Sequence, residues 1–278
     1  MQELIGEQET TIRLIAFAGL FALFALTEAL KPRRRLTVSK ANRWFTNLAI
    51  VVLDSLIVRL IFPAAAVGVA FWASASGFGL FNLLDAPFWI TVIVSFVVLD
   101  FAVWLSHVLS HKIPLFWRFH RMHHADRDID VTTAIRFHPI EIILSMVWKA
   151  CWVVVIGAPA AAVIIFETVL NGTAMFNHSN TKLSPLMDKI LRSFVVTPDM
   201  HRVHHSTITT ETDSNYGFNL PWWDKLFGTY VDQPALGHEK MQIGLSEWQD
   251  ERPTRLGWSL SVPFLSQETE AQNKPSGK

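Results

Sequence analysis

Long apolar stretches constrain this chain more than any other feature of its sequence. They cover residues 12–30, 45–72, 88–106 and 141–176. The first has close to the ~20 residues that a transmembrane helix needs. The fourth is long enough for two helices, and Gly157 and Pro159 near its centre are typical of a turn. The stretches therefore predict an all-α, multi-pass, integral membrane bundle.

The composition supports a membrane location and argues against two other classes of protein. Half of the residues are hydrophobic and only 17% are charged, which is less charge than a soluble domain usually carries. The formal net charge is zero, so a nucleic-acid partner has no electrostatic support. The single cysteine, Cys151, permits neither an intrachain disulfide nor a cysteine-based metal site, and we expect it to be a small buried hydrophobe.

Basic residues predict the orientation of the spans. They are frequent in residues 31–43 and 112–136, whereas residues 73–87 carry a single charged residue, Asp85. By the positive-inside rule, both basic segments should be cytoplasmic and the N-terminus should lie outside. The acidic N-terminal residues and the KPRRR sequence after the first stretch argue against a cleaved signal peptide. The compact chain favours a bacterial inner membrane.

Two apolar stretches carry further local predictions. Pro63 should end or kink the helix of the second stretch. In the fourth stretch, Lys149 and Glu167 are each nine residues from Ala158, so a hairpin turning there places them at one depth. Opposite charges at one depth in a bilayer are expected to pair or to share a polar cavity.

Eight of the 11 histidines fall into three groups that follow or flank the predicted spans. The first group has the pattern H-x-x-x-H, and the other two have the pattern H-x-x-H-H. They are His107 and His111, then His120, His123 and His124, then His201, His204 and His205. Histidines three or four residues apart share one face of a helix. Buried without a metal, these imidazoles would lack hydrogen-bond partners, and eight of them exceed one tetrahedral site, so we predict two metal ions.

Other metal-binding classes fit this pattern less well. Structural zinc usually has four ligands that include cysteine, and the H-E-x-x-H sequence of metalloproteases does not occur. Bis-histidine haem would use histidines within the bilayer rather than at the ends of spans. Outside the groups, His238 is predicted to be a surface residue, and His138 is a candidate ligand or a partner of one.

The order and form of these groups resemble those of the fatty acid hydroxylase / sterol desaturase superfamily. The resemblance extends to LDFAVWLSH, NHSN, TPDMHRVHHS and NYGFNLPWWDKLFGTY, and it covers roughly residues 90–232. It implies a membrane-embedded, non-haem di-iron enzyme that attacks lipid C–H bonds. The implied cofactors are two iron ions, for which zinc could substitute, and O2 is the implied co-substrate. The resemblance does not separate hydroxylation, desaturation and ether cleavage, nor sterol, fatty acyl, carotenoid and alkylglycerol substrates.

The resemblance also implies roles for individual residues. The eight grouped histidines match family ligands, and His178 in FNHSN resembles a ninth. Some members carry a second histidine in that region, but residue 182 is lysine here, which leaves a position for water or His138. Asp100 resembles a family acid near the first group; it could hydrogen-bond a ligand imidazole or limit water access. Asp100 and His138 are therefore the candidate catalytic residues.

Together these features divide the chain into three parts and suggest two functions. The parts are an N-terminal transmembrane region (1–87), a catalytic domain (88–232) with a cytoplasmic, histidine-rich di-metal cap, and a polar C-terminal tail (233–278) that is disordered from residue 266. The first function is O2-dependent hydroxylation or desaturation of a lipid. Because no haem, flavin or iron–sulfur motif is recognisable, its electrons should come from a separate reductase. The alternative is a non-catalytic metal-binding protein or transporter, whose ligands would lie near the bilayer midplane on broken helices.

Overall fold

The computed structural model describes residues 2–266, and within that range the chain is helical, with isolated bridges in place of strands. The longer helices are α1 (Gln2–Leu30), α2 (Lys40–Ile61), α3 (Ala65–Ala75), α5 (Phe88–Lys112), α6 (Pro114–His124), α7 (Pro139–Ile156) and α8 (Ala160–His178). The shorter ones are α4 (Leu80–Leu83), α9 (Pro185–Leu191), α10 (Pro198–His204), α11 (Thr209–Thr212), α12 (Trp222–Phe227), α13 (Gly237–Lys240) and α14 (Leu256–Ser261). The prediction of an all-α fold is confirmed.

Five segments of the described chain are long and apolar enough to cross a membrane. They are Thr11–Leu30, Lys40–Leu83, Phe88–Lys112, Pro139–Ile156 and Ala160–His178. The second segment is not one straight helix, because α2 ends at Ile61, two residues before Pro63, as the sequence predicts. The chain is therefore a multi-pass membrane protein.

Helices α7 and α8 form the predicted hairpin. Gly157 ends α7 with a φ of +67°, a left-handed conformation that glycine adopts without steric cost, and Pro159 precedes the first residue of α8. A Cβ on Gly157 would lie 2.9 Å from the Asn82 side chain, so the turn also needs glycine for its close approach to α4. Cys151 on α7 is exposed, and the prediction that it is buried was wrong. Acyl chains are as apolar as a protein core, so hydrophobicity alone does not separate a lipid-facing residue from a buried one.

Opposite charges hold this hairpin to the first span. Lys149 on α7 and Glu167 on α8 form an ion pair, which confirms the predicted pairing. Arg13 on α1 joins them, with its Nη2 2.5 Å from Glu167 Oε2. Glu167 is buried, so both cations stabilise a carboxylate that would be costly to leave unpaired.

A buried ionic network anchors the loop that follows α6. Arg43 on α2 donates to Asp126 at 2.6 and 2.8 Å and to Asp130 at 2.6 Å. Burial, the largest single influence, would raise the pKa of Asp126, but the charge and hydrogen bonds of Arg43, with smaller contributions from Arg136 and Thr133, together hold that pKa below its usual range. The network fixes the chain directly after the second histidine group.

The described part of the C-terminal region packs on the bundle. Trp248 and Val262 are buried in one cluster with Ile50 of α2 and Met122 of α6. Arg136 ties the loop after α6 to the same region, with hydrogen bonds to the Pro253 carbonyl (3.0 Å) and to Ser259 (2.8 Å). The disorder predicted for residues 266–278 falls, beyond residue 266, outside the described residues. The division into three parts stays a prediction.

Candidate metal centre

Nine histidines converge at one end of the bundle, and four helices supply them. Helix α5 carries His107 and His111, α6 carries His120, His123 and His124, α8 carries His178, and α10 with its C-cap carries His201, His204 and His205. All except His111 are buried, and the side chain of His111 is itself only 1% exposed. The structure thus brings together every residue that the sequence suggested as a metal ligand, apart from His138.

Local sequence sets the directions of these helices. Pro114 disfavours a helical conformation at Ile113, which is extended, so α5 ends and α6 begins at Pro114 with a change of direction. Helix α10 begins in the same way at Pro198, where Thr197 caps it by accepting a hydrogen bond from the Met200 amide at 3.3 Å. Both prolines thus begin a short helix that carries its histidines toward the end of α5.

The histidines separate into two groups that can each hold a metal ion. One ligand nitrogen from every member of a group lies within 4.8 Å of those of the other members. The five-histidine group contains His107, His111, His120, His124 and His204, and the four-histidine group contains His123, His178, His201 and His205. Neighbours in the sequence fall into different groups because successive residues point about 100° apart around a helix.

Backbone carbonyls fix the tautomer of four imidazoles. In each of these, Nδ1 donates to a carbonyl oxygen, which leaves Nε2 with an unshared electron pair. The pairs are His107 with Tyr216 (2.7 Å), His123 with Arg136 (3.1 Å), His178 with Ala174 (2.8 Å) and His204 with Ser214 (2.6 Å). The fold therefore leaves one ring nitrogen of each imidazole available to a metal and holds the other one in a hydrogen bond.

A carboxylate has the same role for His120, and a second one lies near His111. Glu141 Oε1 accepts from His120 Nδ1 at 2.6 Å, and Asp213 Oδ1 lies 3.4 Å from His111 Nδ1. Sequence reasoning missed both acids. For Glu141 a signal was available: it is an acid in the first turn of an apolar span, two residues after the Pro139 that follows His138.

Ring nitrogens that carry no proton face one another inside both groups. His107 Nε2 lies 3.0 Å from His120 Nε2, and His178 Nε2 lies 3.2 Å from His123 Nε2 and 3.1 Å from His201 Nε2. Where both rings of a pair carry their proton on Nδ1, neither can donate to the other, so the two electron pairs repel at this distance. A cation between them removes the repulsion, and neutral imidazole is a common ligand of iron, zinc and copper. The residues present thus fit a pair of transition-metal ions.

Burial keeps these imidazoles neutral. It lowers the pKa values of His123, His124, His201 and His205 well below the ordinary value, and the nearby imidazoles lower them further. The pKa of His204 falls to about 3, again mainly through burial. Because only an unprotonated nitrogen can coordinate a metal, the groups are ready to bind ions at neutral pH.

Aromatic rings enclose the two groups. Trp117 lies against His111, with centroids 4.9 Å apart, and Phe137 stacks on His123 at 4.5 Å. The ring of Phe218 lies 5.0 Å from that of His107. These rings replace water around the nitrogens, so charges and dipoles act more strongly there than in solvent.

The remaining candidate residues lie outside both groups. His138 caps α7: its Nδ1 accepts from the Ile140 amide at 3.2 Å and its Nε2 donates to the Leu260 carbonyl at 3.3 Å. Both of its nitrogens are therefore occupied by backbone partners. Asp100 accepts a hydrogen bond from Trp223 Nε1 at 2.7 Å, so it holds α12 in place rather than a ligand imidazole.

His238 corrects a prediction from the sequence. It was expected at the surface, but it is 5% exposed, with Nε2 3.1 Å from Gln233 Oε1 and 3.6 Å from Asp199 Oδ2. An isolated position in the sequence does not reveal that α13 packs against α10. Burial lowers the pKa of His238 to about 4.

Comparison with known proteins gives one family. The model of the fatty acid hydroxylase family matches residues 92–229, about half of the chain, and this range includes all nine histidines. An ornithine lipid hydroxylase of Rhizobium tropici is 27% identical over 228 residues, which cover 79% of this chain and 67% of that protein. No solved structure matches.

Alkylglycerol monooxygenases are also similar to part of the chain. The protein from Xenopus tropicalis is 32% identical over 166 residues, which cover 58% of this chain and 34% of that protein. The human protein is 31% identical over 168 residues, which cover 60% of this chain and 35% of that protein. The matched part of this chain thus spans about a third of the length of these relatives.

Proposed function

Because this chain belongs to the fatty acid hydroxylase family, we propose that it hydroxylates a membrane lipid, with its nine histidines holding two iron ions. The observation that carries the proposal is the convergence of nine buried imidazoles in two groups with bare nitrogens facing one another. Its relatives are lipid hydroxylases and monooxygenases, which supports an oxidoreductase that acts on lipid.

The proposed reaction inserts one oxygen atom of O2 into a C–H bond, and the other oxygen atom leaves as water. Two electrons and two protons complete the balance. Two bound iron ions would supply the redox chemistry, which acid–base side chains lack. We assign the electrons to a separate reductase, because the sequence carries no recognisable haem, flavin or iron–sulfur motif.

The chain's own groups orient the ligands and keep out water. The carbonyl of Tyr216 and the carboxylate of Glu141 hold protons on the Nδ1 atoms of His107 and His120, so both Nε2 atoms stay available. Phe137 and Phe218 cover imidazoles on two sides. An apolar cover suits a lipid chain as substrate and disfavours loss of oxidising equivalents to water.

We propose hydroxylation rather than desaturation because the similar proteins are a lipid hydroxylase and monooxygenases. An ornithine lipid and an alkylglycerol both join a polar headgroup to hydrocarbon, and we propose a substrate of this general kind. A metal transporter is less well supported, because all nine imidazoles are enclosed in one place and the Nδ1 protons of five of them are held by backbone or carboxylate oxygens.

We further propose that the metal centre lies on the cytoplasmic side, in a bacterial inner membrane. The basic segment 31–43 lies at the same end of the bundle as the histidines. Arg33 Nε is 3.0 Å from Asp199 of α10, and Arg43 binds the loop after α6. With the positive-inside rule, this contact supports a cytoplasmic centre.

Isotope labelling tests the reaction. Membranes that contain the iron-loaded protein, a reductant system and cell lipid extract are incubated under 18O2, and the lipids are analysed by mass spectrometry. We expect a lipid product that carries one 18O atom. A product that is two hydrogens lighter, without 18O, would show desaturation instead. Lipids that are unchanged in the presence of iron and reductant would refute the proposal.

A further inference from the structure

Two short helices present an apolar surface that the metal centre does not use. The α9–α12 face consists of exposed side chains of helix α9, the turn after it and helix α12. It contains Leu186, Ile190, Phe194, Trp222, Leu226 and Phe227. Leu226 is 70% exposed, and an apolar patch with several such side chains marks a surface that lipid or a partner covers.

Hydrogen bonds join the two helices into one face. Trp222 Nε1 donates to the Ser193 carbonyl at 2.7 Å, and Lys225 Nζ donates to the Arg192 carbonyl at 2.7 Å. Two helices whose bonded residues lie 29 and 33 positions apart in the sequence therefore hold their apolar side chains on a common surface.

Contacts with α5 set the depth of this face. Trp223 binds Asp100, and the ring of Phe227 stacks on Trp104 with centroids 4.7 Å apart. Asp100 and Trp104 lie twelve and eight residues before the end of α5 at Lys112, or about 12–18 Å along the helix axis. When the end of α5 is taken as the edge of the hydrocarbon core, whose half-thickness is about 15 Å, α12 lies alongside a span at the depth of acyl chains.

The face continues a surface that lipid must already cover. Earlier in α5, Trp89 and Ile93 are exposed, and α5 is one of the five membrane-spanning segments. Lipid at those positions extends along α5 to the point where α12 packs on it. Acyl chains are therefore the occupant that the α9–α12 face fits.

The segment that ends in α12 begins at the metal centre. The ring of Phe218 lies 5.0 Å from that of His107 in the five-histidine group and 5.9 Å from that of His201 in the four-histidine group. Asn177 of α8 donates to the Phe218 carbonyl at 3.0 Å, while α12 is bound to α5. Residues 218–227 thus connect the centre with the lipid-facing surface on the side where α5 and α8 meet.

We propose that residues 218–227 form the access side for the lipid substrate, with α12 immersed among acyl chains and Phe218 determining which carbon reaches the metals. This inference rests on the proposed lipid hydroxylation. Its structural half, the immersion of α12, is independent of any reaction.

Spin labels test the immersion without activity. In a Cys151→Ser background, nitroxides are attached to Leu226→Cys or, as a control, to Glu239→Cys, and the protein is placed in phospholipid nanodiscs. We expect collisions with O2 to dominate at position 226 and collisions with a water-soluble nickel chelate to dominate at position 239, whose native side chain is 76% exposed. Nickel access at 226 equal to that at 239 would overturn the proposal. So would protection of 226 from both reagents with spin–spin broadening, because a second copy would then cover the face.

Product analysis tests Phe218. Phe218→Ala and Phe218→Leu are compared with Phe137→Ala, which removes a ring stacked on His123 on another side of the centre. Metal content is measured for each variant. We expect a metal-loaded Phe218 variant to shift the position of the hydroxyl group along the chain, whereas a metal-loaded Phe137→Ala lowers the amount of product without moving its hydroxyl group. Parent-like products and KM from a metal-loaded Phe218 variant would overturn the proposal. If the parent itself makes no product, the hydroxylase assignment fails, and the spin-label result still decides the surface.

Discussion

Glu141 Oε1 lies 2.6 Å from His120 Nδ1, across the interface between α7 and α6. This contact couples a membrane-spanning helix to the five-histidine group. A carboxylate partner fixes the orientation of a ligand imidazole and makes it a better electron donor to a metal. In the described part of the chain, carboxylates approach only the five-histidine group in this way, so we expect its metal to be the more tightly held.

Removing this carboxylate should weaken one metal site and spare the other. We predict that Glu141→Ala lowers the affinity of the five-histidine group for its metal by about 10–100-fold. Glu141→Gln should have a smaller effect, because its amide oxygen still accepts from Nδ1. Metal titration followed by elemental analysis measures both, with Glu239→Gln as the exposed control. Equal metal affinities for Glu141→Ala and the parent would show that Glu141 does not help to hold the metal.

Arg13, Lys149 and Glu167 should contribute unequally to the stability of the folded protein. Glu167→Gln removes the buried carboxylate that two half-buried cations share, and we predict a loss of about 3–5 kcal/mol in stability. Lys149→Met should cost less, because Arg13 still pairs with Glu167. Unfolding in detergent mixtures gives both values, with Lys189→Met on the exposed side of α9 as control. A larger loss of stability for Lys149→Met than for Glu167→Gln would contradict the pairing.

The pH dependence of stability should contain a contribution from His238. Its pKa is lowered by burial from 6.5 to about 4, so the folded protein resists protonation at a pH where the unfolded chain accepts it. Stability from this group is therefore fully present above about pH 6.5 and is lost as the pH falls toward 4. His238→Gln should narrow the difference in stability between pH 7 and pH 4.5 while keeping activity, since His238 lies outside both histidine groups. An unchanged pH profile would contradict this assignment.

Labelling from each side of the membrane tests the topology. In the Cys151→Ser background, a cysteine at Arg35 should react with impermeant maleimide only after the cytoplasmic face is opened, and one at Leu80 should react from outside. Both side chains are exposed on the protein surface, so neither label is blocked by protein packing. The opposite pattern would invert the proposed orientation and place the metal centre outside.

The sequence predicted those features that follow from local patterns. The lengths of the apolar stretches predicted the spans, and Gly157 and Pro159 predicted the hairpin. Lys149 and Glu167 are equally far from Ala158, which predicted their pairing. Histidine spacing predicted eight of the nine histidines that converge, and the family resemblance predicted His178. Neither predicted the division into two groups, because that depends on how α6 and α10 rotate against α5.

Features that depend on tertiary packing could not be predicted in this way. The carboxylate of Glu141 reaches His120 only because α7 passes beside α6. His238 is buried because α13 folds onto α10, and Cys151 is exposed because its face of α7 points away from the bundle. None of these contacts leaves a periodic signal in the chain.

The most direct test of the central claim is metal stoichiometry measured together with product formation for His124→Ala beside the parent. His124 Nε2 lies 3.2 Å from His120 Nε2 inside the five-histidine group, at the end of α6 and outside the spans, so its loss should leave membrane insertion intact. We predict two irons per chain and hydroxylated lipid for the parent, and fewer than two irons and no product for the variant. Zinc-loaded parent should be inert, because zinc has no redox chemistry. Full product formation by His124→Ala with one metal ion or none per chain would contradict the di-iron account.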